Sequence, residues 1–400
     1  MSALSHRMAL WRREISPYAG SSLGSVPAVS TARGPRAHLE RSARHRISMS
    51  DGPNPAERAE RAEPTELAQV GTSEWPHQPE IYIVEAPPLP RTRRGWRRRL
   101  GRWLTSLPFH LLLFLLTVGT TLIVGAHITM NFRLGLQPFD WELVGSFFGS
   151  LWRHPARLLW GVPFSFTLLG ILLAHELGHY VTCRAYGIRA SYPYFVPAPT
   201  LIGTMGAFIL IKSRFTTRRS LFDVGISGPL AGFVLAVPAL VVGVLQSRLI
   251  SAPLIAATTR DTIVLGNPLA LTLLAHAFHP GIRPGALLLS PVACAAWVGL
   301  VATALNLLPA GQLDGGHIVY ALFGPRHKLV SRGLWLALLP LGWFCWQGWF
   351  IWAAVLLLLR LRHPNVLYEE PPIGSGRKIL AVAALVVLVL SFVPAPFVTR

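Results

Sequence analysis

Three side chains able to do chemistry stand together in the stretch AHELGHY: His175, Glu176 and His179. On an α-helix, positions four apart differ by about 40° around the axis, so His175 and His179 project from one face. Two imidazoles at that spacing suit a single Zn2+, with the Glu176 carboxylate beside the ion to take a proton from water. The alternative is an amphipathic helix end with incidental histidines. The setting argues against it, because the run Leu158 to Ala174 just before the motif holds no charged residue. Ionisable groups at the end of a membrane-length apolar run cost about 2.5–3.5 kcal/mol each on insertion scales and persist where they function.

A catalytic zinc needs a third protein ligand and one open position. The candidates are Cys183, Asp314, His317 and the pair His276 and His279. Cys183 shares the helix face of His179, but three ligands along one straight helix would span about 12 Å, too far for one tetrahedral ion. Asp314 lies in LNLLPAGQLDGGH, where Pro309, Gly311, Gly315 and Gly316 interrupt a helix and let a carboxylate turn back. Unwound backbone at membrane depth is tolerated only where protein or a water-filled cavity surrounds it. Asp314 is therefore the expected third ligand.

The elements that must position these groups are membrane helices. The chain has 400 residues, is 52% hydrophobic and 14% charged, and has a mean hydropathy of +0.44. Soluble domains carry about 25% charged residues, so this chain has little polar surface for water. The net charge of +19 invites a nucleic-acid reading, but its distribution argues against one. The densest cluster, Arg91 to Arg102, immediately precedes the first apolar run, which marks a cytoplasmic flank in contact with the lipid bilayer. Cys183, Cys294 and Cys345 form no CxxC pair and indicate neither disulfides nor a thiolate zinc site.

Residues 1–80 are rich in Arg, Ala, Ser and Pro and are expected to be a disordered or targeting segment. The first 48 fit either an organellar transit peptide or an over-extended start ahead of Met49. Residues 81–104 form a basic juxtamembrane segment, and residues 105–400 a transmembrane domain. Spans are expected at Phe109–Ala126, Leu158–Ala185, Val224–Leu245, Leu287–Leu308 and Ile379–Val393. Gly333 to Leu359 suits one tilted helix or a hairpin of two short ones, and basic residues on both flanks favour the hairpin. The expected fold is an all-α polytopic bundle with about six or seven spans. Counting sides from Arg91–Arg102 brings the His175–His179 motif and Asp314 to one face, and places His276 and His279 on the other.

AHELGHY together with NLLPAGQLDGGH resembles the site-2 protease family of intramembrane zinc metalloproteases. That family pairs an HExxH on one span with N-x-x-P-x-x-x-x-D-G on another, and Asn306, Pro309, Asp314 and Gly315 fall at the matching positions. The likeness covers roughly residues 105 to 400. It implies one catalytic zinc held by His175, His179 and Asp314, with Glu176 as base and Asn306 holding substrate backbone or the oxyanion. PTLIGTMGAFILIKS, Pro199 to Ser213, resembles the family's membrane-dipping strand or hairpin, which pairs with unwound substrate; Gly203, Thr204 and Gly206 are its expected substrate-binding residues. SGPLAG, with Gly228 and Gly232, reads as helix packing without chemistry. No PDZ-like insertion is evident between the spans. The resemblance implies a peptidase acting on single-span or tail-anchored membrane proteins in regulated intramembrane proteolysis. The expected site of action is a bacterial inner membrane, with a plastid membrane as the alternative.

Overall fold

The computed structural model describes residues 103–140, 143–249, 263–281, 286–358 and 373–399. The expected disordered segment 1–80 and all but the last two residues of the basic segment 81–104 lie outside the described residues.

Ten helices are described: α1 (Leu107–Leu134), α2 (Val144–Arg153), α3 (Val162–Ala185), α4 (Arg218–Gln246), α5 (Leu269–Phe278), α6 (Pro291–Leu307), α7 (Asp314–Phe323), α8 (His327–Phe344), α9 (Gly348–Leu358) and α10 (Ser375–Ser391). Their ends follow local chemistry. The Thr217 hydroxyl accepts from the Ser220 N–H at 3.1 Å and opens α4, and Ser290 accepts from Ala293 N–H at 3.2 Å to open α6, with Pro291 in its first turn. Gly135, at φ 77°, closes α1 in the left-handed conformation.

The core lies where α1, α3, α4 and α6 meet, with Ile128, Phe164, Leu168, Ile171, Leu240 and Leu300 all buried in one cluster. Among the described residues three helical stretches are long and apolar enough to cross a membrane: Leu107–Leu134, Pro155–Ala185 (a 3-10 turn running into α3) and Arg218–Gln246. Each is longer than the hydrophobic run alone predicts, because polar residues at the ends continue the helix beyond the apolar stretch. The span expected at Leu287–Leu308 is helical only over Pro291–Leu307, since Leu287 and Leu288 pair as a short strand. Seventeen residues rise about 25 Å, at the short end of what crosses a hydrocarbon core. Shorter apolar helices α5, α6 and α9 accompany the three long ones, and the expected six or seven spans would have to count such short helices as crossings. Gly333 to Leu359 resolves into α8 and α9, joined by a tight turn around Cys345 and packed side by side.

Short strands accompany the helices as three two-stranded antiparallel pairs. The pair that matters for the site is β1 (Tyr194–Pro197) with β2 (Thr204–Phe208), in register Tyr194↔Phe208 and Pro197↔Thr204. It packs on α1 through Phe109 and Leu113 and on α3 through Leu169. The expected strand segment at Pro199 to Ser213 is thus half of a hairpin that begins earlier, at Tyr194. Strands β3 (Arg248–Leu249) and β5 (Leu287–Leu288), and β4 (Ile263–Leu265) and β6 (Phe397–Thr399), form the other two pairs.

Candidate metal centre

His175 and His179 lie inside α3, one turn apart and both buried. Their Nε2 atoms are 3.1 Å apart. Asp314 Oδ2 stands 3.2 Å from the first and 3.3 Å from the second. Two ligands of a tetrahedral zinc, each about 2.0–2.1 Å from the ion, lie about 3.3 Å apart, so these three atoms form one face of such a tetrahedron. The donor set fits as well. The His179 Nδ1 proton goes to the Val224 carbonyl at 2.6 Å, which leaves the Nε2 lone pair facing the other two atoms. Asp314 Oδ2 is buried and makes no conventional hydrogen bond. A buried carboxylate oxygen pressed against two imidazole nitrogens is costly unless a cation is shared between them. Among the described residues this is the one group of three or more metal-capable side chains.

The carboxylate reaches this position because the chain breaks. Helix α6 stops at Leu307, Gly311 takes φ 55°, and α7 restarts with Asp314 in its first turn. The positive end of the α7 dipole favours the ionised carboxylate there. Gly315 makes the turn possible: a Cβ on it would lie 2.0 Å from the Leu307 carbonyl oxygen, a contact with backbone that cannot yield.

Helix α4 forms the opposite wall. A Cβ on Gly228 would sit 2.1 Å from His179 Nε2, and one on Gly232 would sit 3.2 Å from His175 Cβ. SGPLAG packs as expected, and what it packs against is the pair of candidate ligand histidines. The missing side chains leave the space in which the two imidazoles lie. Sequence inspection missed this because small-xxx-small spacing looks the same whether it admits a neighbouring backbone or a neighbouring imidazole.

The remaining expected residues divide. Glu176 is buried and lines a cavity of about 170 Å3 with His175, Asn306, Thr204 and Gly206. Asn306 Nδ2 lies 3.4 Å from His175 Nε2. Gly203 is not part of that cavity. At φ 75° it turns the hairpin against α1, where its own Cβ would meet the Thr120 carbonyl oxygen at 2.7 Å. Cys183 packs with Ile188, Ile209 and Val224, away from the metal-binding atoms. His276 lies on α5 and His279 caps it, while the His317 ring lies tilted beside Phe215; none joins the group.

A further tie holds the helices at this end. Arg377, near the start of α10, makes two charge-assisted hydrogen bonds to Asp223 of α4, at 2.8 and 2.6 Å. Tyr186, just beyond the end of α3, donates its hydroxyl to the same carboxylate. Burial, and then the neighbouring Asp223, push the Tyr186 phenol above its ordinary pKa, so it stays a donor.

Residues 163–338 match Peptidase family M50. The chain is 32% identical over 302 residues to the probable chloroplastic zinc metalloprotease EGY1 of Arabidopsis thaliana, covering 71% of this chain and 52% of that protein. It is 30% identical over 240 residues to EGY2 of the same plant, covering 59% of this chain and 42% of the relative. EGY1 of Oryza sativa subsp. japonica is 31% identical over 242 residues, 58% of this chain and 40% of that protein. The chain thus spans about half the length, or less, of these curated relatives. They carry chloroplastic names and lend no support to the bacterial inner membrane; the plastid alternative is the one they favour. The matched residues hold the HExxH helix, the glycine wall of α4 and the Asp314 turn: through them residues 163–338 are similar to peptidase family M50, the site-2 protease family, and to relatives named as zinc metalloproteases.

Proposed function

We propose that the protein is a membrane-embedded zinc endopeptidase that cuts membrane-spanning protein substrates, as in regulated intramembrane proteolysis. The observation that carries this reading is the cavity in which Glu176, His175 and Asn306 meet the strand residues Thr204 to Ala207 within an apolar bundle. His175, His179 and Asp314 would hold the zinc, which when bound supplies Lewis-acid polarisation of the scissile carbonyl. Glu176 would take the proton of the attacking water and return it to the leaving amine. Asn306, whose amide nitrogen reaches the same corner as His175, would donate to the carbonyl oxygen as charge develops on it.

Substrate helices hide their amides in internal hydrogen bonds, so one must unwind before it can be cut. Strand β2 has β1 on one edge and pairs with no other described strand. An extended substrate would add to its other edge beside Glu176, exchanging helix hydrogen bonds for strand ones. The chloroplastic names of the relatives support a plastid membrane as the site of action.

Replacing Glu176 by Gln tests the reading. Glutamine keeps the shape but accepts no proton, so zinc content should stay at the level of the unaltered protein while cleavage of a reconstituted transmembrane substrate falls by at least about 100-fold. Retained turnover rejects Glu176 as the base, and lost zinc makes it a ligand instead.

A further inference from the structure

The cavity does not end at the metal-binding atoms. On α3 the stripe Leu168, Leu172, Glu176 and its neighbour Ile171, His175 both run into it, with an apolar residue one turn before each polar one. On α6 the stripe Val298, Ala302, Asn306 does the same, beside Gly299 and Thr303. The polar groups therefore sit at one end of the cavity, and aliphatic side chains line it below them. The two hydroxyls on its wall are already spent: Thr303 donates to the Gly299 carbonyl at 2.9 Å and Thr204 to the Val196 carbonyl at 2.9 Å. At the floor, α6 closes on α3 at Gly299, where a Cβ would lie 2.8 Å from Ile171 Cγ2. One turn higher, at Ala302, only a methyl group stands in the way. The space of about 170 Å3 exceeds by an order of magnitude what one water needs.

We propose that this apolar extension is the subsite for a large aliphatic or aromatic substrate side chain adjoining the scissile bond, and that Ala302 sets its depth. The proposal rests on the protease reading above, because it takes the scissile bond to lie at Glu176. Below the polar end its aliphatic lining rewards each buried methylene and disfavours a polar side chain through the cost of desolvation. Ala302 specifies the substrate without taking part in the chemistry.

The test uses the full-length protein in proteoliposomes with a transmembrane substrate whose cut is first located by mass spectrometry. Each residue flanking that bond is then varied through Ala, Val, Leu, Phe and Asn. At one flank, Leu or Phe should be cut on the order of 30-fold faster than Ala or Asn. Ala302→Phe should reverse that order in favour of Ala, and Ala302→Val should flatten it, both with zinc content unchanged. Should Ala302→Phe fail to fold, the Val variant and the substrate series still decide. A flat profile with the unaltered protein, or an unchanged preference in the Val variant, overturns the subsite alone. Absence of any cleavage that depends on Glu176 overturns the protease reading, and the subsite with it.

Discussion

The two halves of the metal centre are built by opposite means. His175 and His179 sit within an unbroken helix, α3, whose regular turn aims both imidazoles without any special backbone. Asp314 sits where the helical path fails, between the end of α6 and the start of α7. A helix aims two ligands at one ion cheaply, but a third on the same straight helix is too distant. The third must come from elsewhere, and a carboxylate arriving at the end of an interrupted helix approaches from a direction no continuous helix offers. The break frees backbone groups, which short turns re-engage: Ala310 N–H bonds to the Leu308 carbonyl at 2.7 Å, and Leu313 N–H to the Ala310 carbonyl at 3.2 Å. Helix α4 serves the histidine half through what it lacks, leaving room with Gly228 for His179 and with Gly232 for His175.

The comparison is broken most completely by Asp314→Ala. With the carboxylate gone, two histidines on one helix remain, and zinc affinity should fall by more than about 100-fold, read as metal stoichiometry after dialysis. Gly228→Ala should come next, with no ligand altered. The added methyl lies on the position of His179 Nε2, and the imidazole can swing aside while the helices stay packed. Zinc affinity should drop about 10- to 100-fold, while the melting temperature holds or rises, since alanine favours a helix over glycine. A matching loss of stability would mean that Gly228 is needed by the backbone and not by the imidazole.

Gly232→Ala sharpens the same point at lower amplitude. Its methyl would meet His175 at 3.2–3.3 Å, a contact that shifts of a few tenths of an ångström relieve. An affinity loss of about tenfold or less is expected, and a loss as large as that of Gly228→Ala would contradict the ranking by distance. Smallest of all, Cys183→Ala should leave zinc content unchanged, because its thiol packs among Ile188, Ile209 and Val224. Loss of zinc from that variant would reject the three-atom centre described above.

Much of this site is legible in the sequence. His175, Glu176 and His179 announce themselves because i, i+4 spacing on a helix is a local property, independent of what packs around it. Asp314 is legible for a related reason: Pro309, Gly311, Gly315 and Gly316 mark a broken helix, and counting sides puts the break near the histidines. The role of Gly203 is less legible. Gly203 and Gly206 look alike as strand glycines, yet one turns the hairpin against α1 and the other lines the cavity, a difference set by contacts with Thr120 that no local pattern encodes.

The sequence by itself determined the chemistry and its setting: two imidazoles and a carboxylate on one helix, a second carboxylate at a helix break, and apolar runs that place both in a membrane. Periodicity and backbone breakers act over a few residues, so they survive without knowledge of the fold. Only the tertiary structure decided that α4 makes room for the imidazoles, that α6 begins at Pro291 after Leu287 and Leu288 pair as a strand, and that stripes from α3 and α6 continue the cavity below Glu176. Each of these depends on which faces of distant helices meet, and that is settled by packing across the whole bundle.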